Sequence, residues 1–150
     1  MTREREHKDS LGPFSDWHRD NLPSWYTYID IDYTGYIDPY EWPEFAYEPY
    51  VFIELIHVAN SNNWGENVLD RYPLHEHKKQ VYFNMQKQTE VPVYVLWHPT
   101  NCEECIVKRI GNTNELARHY KNKQEFCNFL DDMRQKRIKE LGAIQLDGTK

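Results

Sequence analysis

The chain has 150 residues, of which 39% are hydrophobic and 15% aromatic, and its formal net charge is −6. This length suits one domain with a sizeable core, and the composition excludes a disordered chain. The net charge argues against nucleic-acid binding over the whole surface, and the lack of a long apolar run or a signal peptide predicts a cytoplasmic protein without membrane contact.

The predicted elements alternate between helices and strands. Residues 1–12 are predicted to be a flexible polar tail, residues 13–142 a single α/β domain, and residues 143–150 a second tail. In chain order the pattern predicts a helix over 15–21, an extended segment over 25–37, a strand over 50–59, a helix over about 73–90, strands over 91–97 and 106–110, and a helix over 123–141 that ends at Gly142. Gly35 predicts a bend or bulge in the first extended segment.

Three carboxylates stand in apolar surroundings that a sheet would bury. Asp30 and Asp32 are two residues apart in an apolar segment, so a strand would point both side chains to the same face. Glu54 has two apolar residues on each side within the strongest predicted strand. Because a buried ionised carboxylate is costly unless it is paired or holds a metal ion, each of these acids is a candidate ligand.

No cation lies near these carboxylates in the sequence. From Asp20 through Asp70 the chain has no Lys or Arg, whereas it has ten Asp and Glu residues, the two end residues included. A divalent cation would compensate the charge, and oxygen ligands alone favour Mg²⁺ or Mn²⁺ over Zn²⁺. A structural role without metal is the alternative for each acid, and it is hardest to accept for Glu54.

One lysine has an unusual position in the helix predicted over residues 73–90. Lys78 shares the helical spacing of the apolar residues around it, so it is predicted to face the core near the start of the helix. Further along, between residues 107 and 124, five Lys and Arg residues stand against Glu115 alone. An acidic site with basic flanks suits a metal-dependent enzyme that acts on phosphodiesters, although ordinary solvated faces give the same pattern.

Cys102 and Cys105 are separated by two residues in a predicted hairpin, which is the spacing of half a zinc site. Two further ligands would be needed, and Cys127 and His119 could supply them only if the last helix folded back. We therefore expect no structural zinc at Cys102 and Cys105, and we favour free thiols in a reducing compartment.

The order of these elements and motifs resembles the PD-(D/E)XK nuclease superfamily, in particular its small phage and prokaryotic members. The resemblance covers residues 17–97. It rests on the segment 17–23 with His18, the pair Asp30 and Asp32, the segment 52–54 that ends in Glu54, and Gln80 followed by the strand 91–94. It implies a restriction-endonuclease-like αβββαβ core, in which helices flank a mixed sheet.

The resemblance also implies which residues bind metal. Asp32 and Glu54 would be the ligands of a Mg²⁺ or Mn²⁺ ion. Asp30 would assist at the margin of the same site, and His18, from the first helix, would be an additional ligand or a positioning residue. These assignments agree with the carboxylate pattern, which points to the same ion independently of the family.

The catalytic lysine of the family has no counterpart at its usual place. The family pattern puts a lysine two residues after the Glu, where this chain has Ile56. Members of the superfamily can place the lysine on the neighbouring helix, and Lys78 would then assist catalysis beside Asp32 and Glu54. Gln80 matches a helical glutamine that some members use near the substrate.

Two classes of function follow from the sequence. The first is a metal-dependent nuclease that hydrolyses nucleic-acid phosphodiesters, with DNA favoured over RNA. The second is a protein without catalysis, either an inactive nuclease fold that binds a partner or an acidic mimic of nucleic acid that acts on a protein. A protein partner or a homodimer is compatible with both classes.

Overall fold

The computed structural model describes residues 20, 21, 23, 31–111 and 114–148, and its sheet and helices lie in one compact unit that begins at Ile31. Within that unit, five strands form a mixed sheet whose spatial order, β1-β2-β3-β4-β5, is also their order along the chain. The strands are β1 (Tyr33–Tyr36), β2 (Pro49–Val58), β3 (Val93–Pro99), β4 (Cys105–Arg109) and β5 (Arg118–Tyr120), and the helices are α1 (Val68–Arg71), α2 (Glu76–Thr89) and α3 (Lys123–Gly148).

The parallel pair of β2 and β3 forms the centre of the sheet, and the other neighbouring pairs are antiparallel. Parallel neighbours need a long crossover connection, which α1 and α2 provide here. β2 lies between β1 and β3 and carries apolar residues on both faces, as expected of a strand that is covered on both sides. Its observed bounds confirm the strand predicted over residues 50–59 to within one residue.

α3 covers one face of the sheet. Side chains alternate along a strand, so Ile53 and Tyr94, which pair in register, point together towards Phe129 of α3. The rings of Tyr94 and Phe129 meet edge to face with their centroids 5.0 Å apart, a favourable aromatic geometry. The buried residues of this core are Val51, Ile53, Tyr94, Leu96, Cys105, Val107 and Phe129.

α2 lies over the opposite face. Val95 pairs in register with Glu54, and the side chains of both residues point towards this helix. Tyr82 of α2 is buried, and so is Trp97 of β3, whose indole nitrogen donates a hydrogen bond to the carbonyl of Tyr72 at 2.7 Å. The polar atoms of these buried aromatic side chains thus have partners, as their burial requires.

Gln86 fixes α2 to the end of the sheet. Its side-chain oxygen accepts hydrogen bonds from the backbone N–H of Val93 at 2.9 Å and from the guanidinium of Arg109 at 3.0 Å. Its amide nitrogen donates to the carbonyl of Ile110 at 3.0 Å. One side chain therefore joins α2, the start of β3 and the end of β4, which holds the helix in one place over the sheet.

Gly35 confirms the predicted bulge. The β1–β2 register shifts between Gly35 and Tyr36. A Cβ atom at Gly35 would lie 2.8 Å from the side chain of Val51 and 2.9 Å from the ring of Tyr50, closer than real contacts allow. Only glycine lets these two strands approach at this point.

Among the differences from the prediction, two concern the last helix and the last strand. The predicted stop at Gly142 is wrong, because α3 continues through this residue to Gly148. A glycine ends a helix when it takes up the left-handed conformation, whereas Gly142 is helical. β5 was not predicted, because its three residues include two exposed polar side chains and show no apolar alternation.

The mixed sheet and its helices confirm the predicted α/β class. Residues 20 and 21 are helical, but the rest of the helix predicted over 15–21 lies outside the described residues, and the restriction-endonuclease-like core stays a prediction. In the part of the chain that the structure describes, no helix has the length and apolar character needed to cross a membrane.

Candidate active site

Glu54 is the one charged side chain that the described residues bury. It lies in the middle of β2 and is 5% exposed. Strands flank β2 on both sides, and α2 covers the face to which the carboxylate points. Water therefore reaches Glu54 poorly, and an ionised carboxylate at this position needs other partners.

Two donors from α2 are partners of Glu54. The Nζ atom of Lys78 donates to Oε1 at 2.8 Å, and the hydroxyl of Tyr82 donates to Oε2 at 2.8 Å. Lys78 and Tyr82 are four residues apart, so a single face of α2 presents both groups to the carboxylate. Lys78 is thus observed beside the carboxylate, as the sequence predicts, and its role in catalysis stays a prediction.

Asp32, the residue before β1, contacts β2. Its Oδ2 atom accepts a hydrogen bond from the backbone N–H of Leu55 at 2.8 Å. The register pairs Tyr33 with Ile53, and continuing it by one residue puts Asp32 opposite Glu54. Residues opposite each other share one face of a sheet, with Cβ atoms about 4.5–5.5 Å apart. Asp32 and Glu54 are therefore neighbours on one face of the sheet, where Asp32 is exposed and Glu54 is buried.

Burial raises the pKa of Glu54 above its ordinary value. The hydrogen bonds from Lys78 and Tyr82 lower this pKa, whereas the negative charge of Asp32 raises it. Burial has the largest effect, so the net shift of the pKa is upward. Glu54 therefore binds a proton more readily than an exposed glutamate does. A carboxyl group with a raised pKa beside a specific charged partner is a common feature of functional sites.

Lys78 corrects one premise of the sequence analysis. Residues 20–70 lack a cation, but Lys78 is 24 positions after Glu54 in the chain and returns to it through α2. The buried charge is paired by a protein side chain, so burial of Glu54 does not by itself require a metal ion. Sequence reasoning also missed Tyr82, although its spacing of four residues from Lys78 was a usable signal.

The donors at this site suit a hard divalent cation. Asp32 and Glu54 offer carboxylate oxygens, and Mg²⁺ commonly binds through one or two carboxylates while it keeps several waters. Each oxygen of Glu54 has a second lone pair beyond the one that its described hydrogen bond uses. Among the residues that the structure describes, no three His, Cys, Asp or Glu side chains form a group able to hold a metal. The predicted ligands His18 and Asp30 lie outside the described residues.

Gln80 lies away from Glu54. It is two residues from Lys78, so it points to a different side of α2. Its amide lies 3.4 Å from a carboxylate oxygen of Glu76 on the exposed surface of the helix. The structure therefore brings Asp32, Glu54 and Lys78 together and places Gln80 on the other flank of α2.

A cavity of about 630 Å³ lies on that other flank, between α2 and the strands β3 and β4, and we call it the α2 cavity. Lys79, Lys108 and Arg109 line it, together with Gln80. Lys108 pairs in register with Val95, which pairs with Glu54, so these three residues form a row across one face of the sheet. Basic side chains thus lie on the same face as the carboxylate.

Cys102 and Cys105 lie in different surroundings. Cys105 belongs to the core under α3, and burial raises the pKa of its thiol to about 11. Cys102 is exposed, and its sulfur lies 3.5 Å from Nδ1 of His98. The absence of a structural zinc at this pair stays a prediction.

Comparison with known protein families, with curated proteins and with solved structures found no match to the chain. No residue role is therefore transferred from a relative. The chemistry of the site follows from the contacts of Asp32, Glu54 and Lys78 themselves.

Proposed function

We propose that the chain is a metal-dependent nuclease that hydrolyses nucleic-acid phosphodiesters at Asp32, Glu54 and Lys78. The observation that carries the proposal is the 2.8 Å contact between Lys78 and Glu54 on the strand to which Asp32 is bonded. Two acids and one amine meet there from three separate segments of the chain. Metal-assisted cleavage of a phosphodiester needs no larger set of side chains.

Each of these side chains has a distinct task in the proposed reaction. A bound Mg²⁺ or Mn²⁺ ion would acidify a water and offset charge on the scissile phosphate. Asp32 and Glu54 would hold that ion, and the hydrogen bond from Tyr82 orients Glu54. Glu54 holds the ammonium of Lys78, whose side chain is 32% exposed. Lys78 would donate to a phosphate oxygen on which negative charge develops.

The order of the strands supports the same proposal. Asp32 comes just before β1, Glu54 lies in β2, and α2 crosses over to β3, which is parallel to β2. This is the order in which the sequence resembles the PD-(D/E)XK superfamily. Lys78 of α2 contacts Glu54, as the proposed replacement of the lysine that is absent at Ile56 requires.

The distribution of charge supports a polyanionic substrate. The α2 cavity contributes Lys79 and Lys108 on the face of the sheet that carries Glu54. Residues 20–70, in contrast, contain no Lys or Arg. A nucleic-acid backbone would be attracted to the basic flank and repelled by the acidic segment, which gives it one preferred approach. The preference for DNA over RNA rests on the resemblance alone.

A binding protein without catalysis is the second candidate, and one observation favours it. Both oxygens of Glu54 accept hydrogen bonds from α2, so the group is neutralised within the fold. Such a closed arrangement would hold α2 against the sheet whether or not a metal binds. The same surface would then bind a partner, such as another protein, without cleaving anything.

Incubation with labelled DNA and RNA, single- and double-stranded, tests the proposal. We expect the wild type to cleave at least one of these substrates in millimolar Mg²⁺ or Mn²⁺ and none in EDTA. Glu54→Gln keeps the shape of the side chain and removes its charge, and it should lower the rate by about 10²–10³, the usual effect of losing one essential electrostatic group.

Glu66→Gln is the matched control, because Glu66 is an exposed acid in the segment between β2 and α1. It should cleave at the wild-type rate. If the purified wild type cleaves none of the substrates with either ion, the nuclease proposal fails and the binding protein becomes the better assignment.

A further inference from the structure

We propose that a second cavity, on the face of the sheet opposite to Glu54, binds the phosphate group of a small anion. The cavity has a volume of about 650 Å³ and lies between α3, the start of β3 and the segment before β5. We call it the α3 cavity. Tyr94 lines it and Val95 faces Glu54, so the alternation of β3 separates the two sites. The inference does not depend on the proposed nuclease activity.

The α3 cavity is rich in cationic side chains. Four of its lining residues are Lys or Arg and three are Glu, whereas the whole chain has 18 Lys and Arg against 24 Asp and Glu. The cationic residues are Arg109, Arg118, Lys136 and Arg137. Guanidinium groups match the oxygens of a phosphate in geometry as well as in charge, which favours a phosphate ligand.

Arg137 is the least satisfied of these cations. Its side chain is 11% exposed, and it lies 3.8 Å from a carboxylate oxygen of Glu48 and 3.6 Å from one of Glu140. Both separations exceed the length of a normal charged hydrogen bond, about 2.7–2.9 Å. Its Nε atom is buried without a hydrogen-bond partner among the described residues. A buried polar group in this state indicates an absent partner, and a phosphate would supply one.

The cations lie at two depths. Arg118 and Lys136 are exposed, whereas Arg137 is largely buried. Arg118 and Lys136 would attract an anion at the surface, and Arg137 would bind it at a less exposed position. One of the lining acids has a partner already, because Glu115 accepts a hydrogen bond from the hydroxyl of Tyr94 at 3.0 Å.

The volume sets the size of the ligand. Sites for small molecules usually measure about 300–1,000 Å³, and the α3 cavity falls within that range. It exceeds the needs of a phosphate ion, and Tyr50 and Met133 add apolar surface to its lining. The ligand therefore carries a phosphate group, and it is either free phosphate or an organic phosphate of the size of a nucleoside monophosphate.

Calorimetric titration in EDTA with inorganic phosphate, adenosine 5′-monophosphate and adenosine tests the inference. EDTA removes metal from the carboxylate site, so that binding there does not contribute. We expect phosphate or the monophosphate to bind and adenosine not to bind. Equal affinity for the two phosphates would assign free phosphate as the ligand, and tighter binding of the monophosphate would assign an organic phosphate.

Three variants locate the binding. Arg118→Gln and Arg137→Gln should each raise Kd about tenfold or more, the factor expected for one lost hydrogen bond to a charged group. Arg134→Gln should bind like the wild type, because Arg134 lies one turn earlier on α3 and contacts Glu41 and Asp131 instead of the cavity. Arg118 is exposed, so its variant decides the matter even if Arg137→Gln does not fold. Absence of phosphate binding, or unchanged binding in Arg118→Gln, would overturn the proposal.

Discussion

Replacing Lys78 by methionine removes the ammonium that pairs with Glu54 and keeps the length of the side chain. Breaking a fully buried ion pair costs about 3–5 kcal/mol, and a hydrogen bond to a charged group contributes about 1.5–3 kcal/mol. Because Lys78 is 32% exposed and the side chain of Glu54 only 7%, water replaces part of the lost interaction. We therefore expect Lys78→Met to lower the free energy of unfolding by about 2 kcal/mol at neutral pH.

This loss should depend on pH, and the pKa of Glu54 gives the direction. A carboxyl group with a raised folded pKa binds its proton more tightly in the folded state, so its contribution to stability falls as pH rises through that pKa. Lys78 lowers this pKa, so its removal makes the total fall in stability larger and extends it to higher pH. Below the folded pKa of the wild type, Glu54 is neutral in both proteins. The cost should then shrink to about 1 kcal/mol, because the ammonium of Lys78 keeps its hydrogen bond to the carboxyl group but no longer faces a negative charge.

Urea denaturation followed by tryptophan fluorescence measures both values, at about pH 7.5 and at about pH 4.5, close to the ordinary pKa of a glutamate. Lys79→Met is the matched control, since Lys79 is the next residue and forms only an exposed 3.9 Å pair with Glu76. Its effect should be about 0–0.5 kcal/mol at either pH. Equal losses in the two variants, or a loss in Lys78→Met that does not change with pH, would refute the reasoning.

Tyr82→Phe removes one of the two hydrogen bonds to Glu54 and should destabilise the fold by about 1–3 kcal/mol, measurable by urea denaturation. Gly111→Ala should destabilise it by about 1–3 kcal/mol, because Gly111 has a φ of +76° and an added Cβ atom would overlap the ring of Phe83. Gly142→Ala should stabilise the fold by about 0.5–1 kcal/mol, because the position is helical and an added Cβ atom would meet open space. Thermal unfolding of the two glycine variants in parallel measures both effects. A shift of the unfolding temperature with the same sign in both variants would contradict the prediction.

The sequence predicted the parts of the site that follow from strong periodicity. β2 has apolar residues on both sides of Glu54, and an apolar run of this length is typical of a buried strand. Lys78 occupies an apolar helical position, so its approach to the core followed from the 3.6-residue period. Both features belong to long elements, in which the pattern of many residues predicts the same secondary structure.

The remaining features depend on contacts that local pattern does not show. The pairing of Glu54 with Lys78 joins residues 24 positions apart, so the residues next to the acid in sequence do not indicate it. β5 is three residues long and forms because β4 offers an edge for pairing, not because its own residues favour a strand. Gly142 stays helical because the residues on both sides continue α3. In each case tertiary or neighbouring structure overrides a local preference.

The rate of DNA cleavage by Lys78→Met in Mn²⁺ tests the central claim most directly, because it separates a catalytic lysine from a structural one. We expect this variant to bind substrate and to cleave it about 10²–10³ times more slowly than the wild type, at a temperature at which both are folded. Lys87→Met should retain the wild-type rate, since Lys87 lies on the same helix and contacts the ring of Phe83. Wild-type cleavage by folded Lys78→Met would contradict the account and leave Lys78 as a structural partner of Glu54.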